Sequence, residues 1–157
     1  MSVQLLLMAK APVAGRVKTR LCPPATPVQA ARLAAAFGDV GGPALLIGMD
    51  TPQVTPALLT AAVRALEAPG VGAVLGPAAD GGWWALGLRE PAHAVALWTV
   101  PMSMPDTGER TLAALRARGL GVALLPTLRD VDTAADAHAV AALCPGGRFA
   151  AAVRELP

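Results

Sequence analysis

A chain of 157 residues with 54% hydrophobic and 15% charged residues is long and apolar enough to bury one core without a disulfide or metal. That balance excludes a disordered chain, and no run approaches the ~20 apolar residues of a membrane span. The net charge of +2 hides an asymmetry, since residues 1–38 carry five Lys/Arg and no acid, whereas the remaining eight Lys/Arg face all eleven acids.

Taken in chain order, Gln4 to Ala9 is a continuous apolar run that predicts a buried central strand of a parallel sheet. Lys10 to Leu21 follows, KAPVAGRVKTRL, with four cations at Lys10, Arg16, Lys18 and Arg20. Pro12 and Gly15 forbid a regular helix through them, so this stretch reads as an anion cradle at the strand's carboxyl end. Thr26 and Pro27 predict the start of an Ala-rich helix to Phe37, broken at Gly38 to Pro43. Ala44 to Met49 is a second strand, ended by Asp50-Thr51-Pro52. Thr55 and Pro56 open a helix through Glu67 with Leu58, Leu59, Ala62, Val63 and Leu66 on one face. Val71 to Leu75 and Trp83 to Leu88 are the third and fourth strands, separated by a loop at Gly76 to Gly82. Pro91 to Trp98 is a short helix. Asp106 with Glu109 predicts a capping box for Thr107 to Arg118, and Gly119 suits the left-handed position after it. Gly121 to Leu125 is a fifth strand, Thr133 caps a helix to about Leu143, and Gly147 to Glu155 is a last one.

Alternating strands and helices predict a layered α/β sheet in a single domain spanning residues 1–157. In such sheets ligands bind beyond the carboxyl ends of the strands, where the loops carry Lys10 to Arg20, Asp50-Thr51, Asp80-Gly81-Gly82 and Arg129 to Thr133. Cations opposite carboxylates in one cleft suit phosphate chemistry, with the acids holding Mg²⁺ or Mn²⁺. Neither a phosphate-loop signature nor G-x-G-x-x-G is present, so another nucleotide fold is required. Asp50, Asp130 and Asp132 also have an ordinary reading as turn and helix-cap residues. Of Trp83 and Trp84, on opposite faces of one strand, one belongs in the core and the other can wall a cleft. Ser103, Asp106 and Thr107 read as a helix-start loop. His93 and His138 sit in apolar helical stretches and read as packing residues, and without a G-x-S-x-G elbow a Ser103/His138 hydrolase triad is rejected. Cys22 and Cys144 form neither a zinc site nor a disulfide framework. The low aromatic fraction and the confinement of the cations to one loop argue against nucleic acid as a partner. The first residues do not have the form of a signal peptide, so a cytoplasmic protein without a membrane partner is expected.

Five motifs in order, KAPVAGRVKTRL, GMDTPQVTPALL, LGPAADGGWWALGL, PMSMPDTG and LLPTLRDVDTAAD, closely resemble those of the DUF2064 proteins. That family is glycosyltransferase-like, within the GT-A nucleotide-diphospho-sugar transferase superfamily, and more distantly resembles the guanylyltransferases of molybdenum-cofactor and coenzyme F420 synthesis. The resemblance implies a three-layer Rossmann-like GT-A fold with a mostly parallel sheet, and a metal-dependent transferase that takes a nucleoside triphosphate or nucleotide sugar as donor and a small-molecule acceptor. It implies that Lys10, Gly15, Arg16, Lys18 and Arg20 hold the nucleotide phosphates, that Asp50 and Asp132 hold the metal, and that Lys18 and Asp80 take part in catalysis, Asp80 by orienting the acceptor. Asp132 is preferred to Asp130 on resemblance alone. The rival reading is a non-catalytic nucleotide- or phosphate-binding module. The base, the acceptor, nucleotidyl versus glycosyl transfer and the oligomeric state stay open. In one respect the chain departs from the family: Leu21 to Pro43 is shorter than the family's separation between the first loop and the D-x-P strand. Either a segment near residues 24–32 is missing from the sequence, or the nucleotide-binding half is shortened. The first reading is preferred because lost sheet strands would leave a raw hydrophobic edge.

Overall fold

The protein was analysed as a computed structural model, which describes residues 2–8 and 27–156. Five strands form one sheet in the order β1-β2-β4-β3-β5, with β1 Gln4–Met8, β2 Ala44–Gly48, β3 Ala73–Pro77, β4 Trp83–Leu88 and β5 Val122–Leu124. The β1/β2 and β3/β5 pairs are parallel, and β4 runs antiparallel to both β2 and β3. Four strands therefore share one direction. The connection from β3 to β4 is a short loop with no helix, which obliges β4 to return as a hairpin partner between β2 and β3.

Helices cover both faces. On one, α1 (Pro27–Val40), a 3-10 helix (Pro91–Thr99) and α3 (Thr107–Ala117) enclose a core of Phe37, Leu46, Leu75, Leu86, Leu97 and Leu115. On the other, α2 (Pro56–Glu67) lays Ala62 and Leu66 over Leu45, Val74 and Trp84. The sheet is thus the middle of three layers, the Rossmann-like arrangement expected from the sequence. Two further helices, α4 (Ala134–Leu143) and α5 (Arg148–Val153), pack on each other. None of the helices among the described residues is long and apolar enough to cross a membrane.

The caps explain why the helices begin where they do. Thr55 is extended and its hydroxyl accepts from the Leu58 amide, with Pro56 in the first turn, as its position before an apolar-periodic run predicts. At the other end of α2 the Arg89 guanidinium donates to the carbonyls of Leu66 and Ala68, satisfying two terminal acceptors from the end of β4. Gly119 follows α3 at φ +77°, the left-handed geometry its position required.

Two expectations need correction. Asp106 precedes α3 but makes no side-chain cap bond; its Oδ2 accepts from Arg110 Nε at 2.6 Å, so an i,i+4 ion pair replaces the predicted capping box. Among the described residues β1 pairs only with β2, on one side and not on both as expected of a central strand. Leu5, Leu7 and Met8 are exposed. An unbroken apolar run signals burial on both faces, but whether a second strand lies alongside depends on residues elsewhere in the chain.

Candidate metal centre at the strand ends

The end of β2 runs into Met49 and Asp50, on the rim where the parallel strands terminate. β5 lies at the far side of the sheet, with β3 and β4 between, so its following loop cannot reach Asp50 as a simple neighbour. The chain solves this by laying residues 125–131 across the rim. The Leu125 amide donates to Leu75 O (2.8 Å), the Leu128 amide to Pro77 O (3.1 Å), the Ala79 amide to Leu128 O (2.9 Å) and the Val131 amide to Asp50 O (2.8 Å). Trp84, 1% exposed, adds a fifth tether by donating its indole N–H to Pro126 O at 2.9 Å. This is the tryptophan placed in the core, while Trp83 packs half-buried against the opposite cluster. The indole occupies the space beside Gly76, where a Cβ would lie 2.5 Å from it.

This crossing brings Asp50, Asp130 and Asp132 together. One carboxylate oxygen from each lies within 4.8 Å of the others, and all three residues are half-buried. Asp130 and Asp132 flank Val131, whose amide is committed to Asp50 O, and each contributes a carboxylate oxygen to the group. A second link ties the two loops, since Gln53 Nε2 donates to Arg129 O at 2.6 Å. Thr51, 5% exposed, lies next to Asp50 and its hydroxyl has no hydrogen-bond partner.

The acidic segment is locked from its far side by Asp136. Its Oδ2 accepts from the Thr133 amide (2.9 Å), the Thr133 hydroxyl (2.7 Å) and the Asp132 amide (3.3 Å), while its Oδ1 accepts from Arg129 Nε (2.9 Å). The hydrogen bonds from Thr133, and then the Arg129 guanidinium, hold the Asp136 carboxyl below its ordinary range. Thr133 in turn accepts from the Asp136 amide, so Thr133 and Asp136 form a reciprocal capping box for α4.

Asp80 stands outside the three-carboxylate group. It is exposed in the loop after β3, and its Oδ1 accepts from the Gly82 amide at 2.8 Å. The glycines beside it are explained by packing. Gly81 has φ +91°, and a Cβ there would fall 1.7 Å from Pro105 O; a Cβ on Gly108 would fall 2.5 Å from Gly82 O. The Gly108 amide donates to Gly81 O at 2.8 Å, so this loop and the start of α3 are in backbone contact. The PMSMPDTG stretch is held from within by buried Thr107, whose hydroxyl donates to Pro101 O and accepts from the Met104 amide. Ser103 in the same loop adopts φ +60°.

Lys10, Gly15, Arg16, Lys18 and Arg20, the predicted phosphate-binding residues, lie outside the described residues, as does Cys22. Two contributors carry no sequence signal: Gln53, whose partner is 76 positions away, and Arg89, whose partners lie 21 and 23 positions away. The resemblance passed over Asp130 in favour of Asp132, and the structure brings both beside Asp50.

Three carboxylates fit a hard divalent cation. Octahedral Mg²⁺ with ligands at ~2.1 Å keeps their oxygens about 3 Å apart when adjacent and ~4.2 Å when opposite. Their oxygens, all within 4.8 Å of one another, would have to draw closer to bind Mg²⁺ or Mn²⁺ directly.

Among solved structures, a protein from Desulfovibrio desulfuricans G20 provisionally named a nucleotide-diphospho-sugar transferase superposes with a TM-score of 0.66 at 23% identity, covering 94% of this chain and 68% of its own. The GT-A fold expected from the sequence is therefore the fold present. No curated protein matches the chain in sequence. Residues 13–104 match the family described as an uncharacterized protein conserved in bacteria, DUF2064, and with more than half of its length matched the chain belongs to that family.

Proposed function

We propose that this protein is a Mg²⁺- or Mn²⁺-dependent transferase that uses a nucleotide-activated donor. The observation that carries the reading is the convergence of Asp50, Asp130 and Asp132 from two loops bridged across the strand-end rim. In this reading the three carboxylates hold the cation, which supplies charge neutralisation for a bound diphosphate. Lys10, Arg16, Lys18 and Arg20 bind the phosphates with the backbone at Gly15, and Lys18 stabilises charge on the transferring group. Asp80 uses one oxygen to fix its own turn and presents the other to an acceptor hydroxyl, orienting it for attack. The same arrangement serves two reactions. A phosphorylated acceptor attacks the α-phosphate of a nucleoside triphosphate and pyrophosphate leaves, or an acceptor hydroxyl takes the sugar from a nucleotide sugar and the nucleoside diphosphate leaves. The structural likeness to the provisionally named nucleotide-diphospho-sugar transferase supports this donor class.

The test is a thermal-unfolding panel of nucleoside triphosphates and nucleotide sugars, each with and without Mg²⁺ or Mn²⁺. A donor at a hundred times its dissociation constant stabilises by about 2.7 kcal/mol, or ~5–10 °C for a chain of this size. Protection that requires the metal and is lost in Asp50→Asn supports the transferase. Protection independent of metal and unchanged by Asp50→Asn replaces it with the non-catalytic binding module.

A further inference from the structure

β2 ends on Gly48, where the backbone has no need of glycine. The residue closes a regular strand in register with Met8 of β1, and its φ is not positive as those of Gly41, Gly70, Gly81 and Gly119 are. An alanine could adopt that strand conformation without strain. Alternation along β2 assigns Ala44 and Leu46 to the cluster of Phe37 and Leu97, and Leu45 to the cluster of Leu66 on α2. A side chain at position 48 would continue the row of Ala44 and Leu46. A carboxylate stands there instead. A Cβ on Gly48 would lie 2.9 Å from Asp50 Oδ1, a separation that forces one of the two to move, while the next atom, Trp84 O, is at an ordinary 3.9 Å. Chain neighbours apart, Asp50 Oδ1 is thus the one group among the described residues that an added methyl would displace.

We propose that Gly48 is a positioning residue for the candidate metal centre: its missing side chain is the recess in which the Asp50 carboxylate lies, at the end of β2 and within reach of Asp130 and Asp132. This role rests on the metal-dependent function proposed for the three acids. In Gly48→Ala, ordinary contact requires Asp50 Oδ1 to retreat from 2.9 to at least 3.4 Å. That step exceeds the ~0.2 Å within which metal–ligand distances are held. A cation then either meets Asp50 out of place or must press it back against the methyl carbon, and both weaken binding. Partners that orient metal ligands carry a factor of ~10–100 in affinity; because a carboxylate can turn about its own side-chain bonds, the lower end applies here. The metal-free fold responds in the other direction. Alanine at a compatible φ restricts the unfolded chain, so resistance to urea is kept or raised. A glycine kept for packing and a glycine kept for its neighbour's carboxylate therefore differ in the sign of the stability change.

The test measures Mn²⁺ affinity by calorimetric titration and metal-free stability by urea unfolding in the unaltered protein, Gly48→Ala and Asp50→Ala. Gly48→Ala should weaken Mn²⁺ binding about tenfold with no fall in its metal-free urea midpoint, and Asp50→Ala should weaken binding at least as much. Binding by Gly48→Ala within about twofold of the unaltered protein, beside a weakened Asp50→Ala, overturns the positioning role and leaves the metal reading standing. A lowered metal-free midpoint in Gly48→Ala also overturns it, since the glycine would then serve packing. An unaltered protein that binds no Mn²⁺, or an affinity indifferent to Asp50→Ala, removes the metal reading and the role of Gly48 with it.

Discussion

Gln53→Leu probes whether the two acid-bearing loops must be held together for the centre to bind a cation. The substitution keeps a branched side chain one atom shorter and removes the bond from Gln53 Nε2 to Arg129 O. The link from the Val131 amide to Asp50 O remains, so that tether still holds the two loops near one another. Arg129 is exposed and its carbonyl can turn to water, so the stability loss should stay near 1 kcal/mol, within the ~0.5–1.5 kcal/mol of a single net hydrogen bond. Outlying partners that orient metal ligands typically carry a factor of ~10–100 in affinity, and with one tether left the lower end applies. Mn²⁺ affinity should therefore fall about tenfold, equivalent to ~1.4 kcal/mol. Calorimetric Mn²⁺ titration gives the affinity and urea unfolding the stability, and the two must be read side by side. If Gln53→Leu costs stability while its Mn²⁺ affinity stays within a factor of two, Gln53 is only a structural strut. If the unaltered protein binds no Mn²⁺ at all, the metal reading itself fails.

Gly81→Ala should destabilise by about 3–5 kcal/mol, since a Cβ at φ +91° would sit 1.7 Å from Pro105 O and its displacement breaks the bond from the Gly108 amide. Urea unfolding within ~1 kcal/mol of the unaltered protein would refute the packing account of that glycine. Asp136→Asn tests the lock on the acidic segment through pH. The folded Asp136 carboxyl is held below its ordinary 3.8, so its contribution is fully present above that value and is lost as the pH falls through the lower, folded pKa. The stability gap between the two proteins should therefore be constant near neutrality and close only in acid; a gap that widens on acidification contradicts the assignment. Trp84→Phe removes the indole bond to Pro126 and a fraction of core volume, and should cost ~1–3 kcal/mol and loosen residues 125–131 in hydrogen exchange.

The features legible in the sequence were those written locally. Trp83–Leu88 was bounded without error as a strand, and Thr55 and Thr133 both cap the helices that follow them, because hydrophobic period and cap chemistry are properties of neighbouring residues. Asp50 and Asp132 were paired only through the resemblance to the family, since the strand-end rule places loops on one rim without saying which residues meet. What escaped depended on distance. The one-sided pairing of β1 among the described residues, the return of β4 as an antiparallel strand, the Gln53 link and the Arg89 cap are all made by residues far apart in sequence, and none changes the local pattern. Asp106 shows the opposite failure: its cap signature was present, yet its carboxylate pairs with Arg110 one turn later and makes no cap bond.

The topology makes the centre unusually dependent on one segment. With β4 and β3 standing between β2 and β5, Asp50 and the Arg129–Thr133 stretch are not carried by adjacent strand ends. Their meeting rests on the bonds at Leu125, Leu128, Val131 and Trp84 and on the Asp136 lock behind them. Under the proposed function, a cation drawn to the three carboxylates binds the same loops that the bond from the Val131 amide to Asp50 O joins, so its binding should slow hydrogen exchange at that amide.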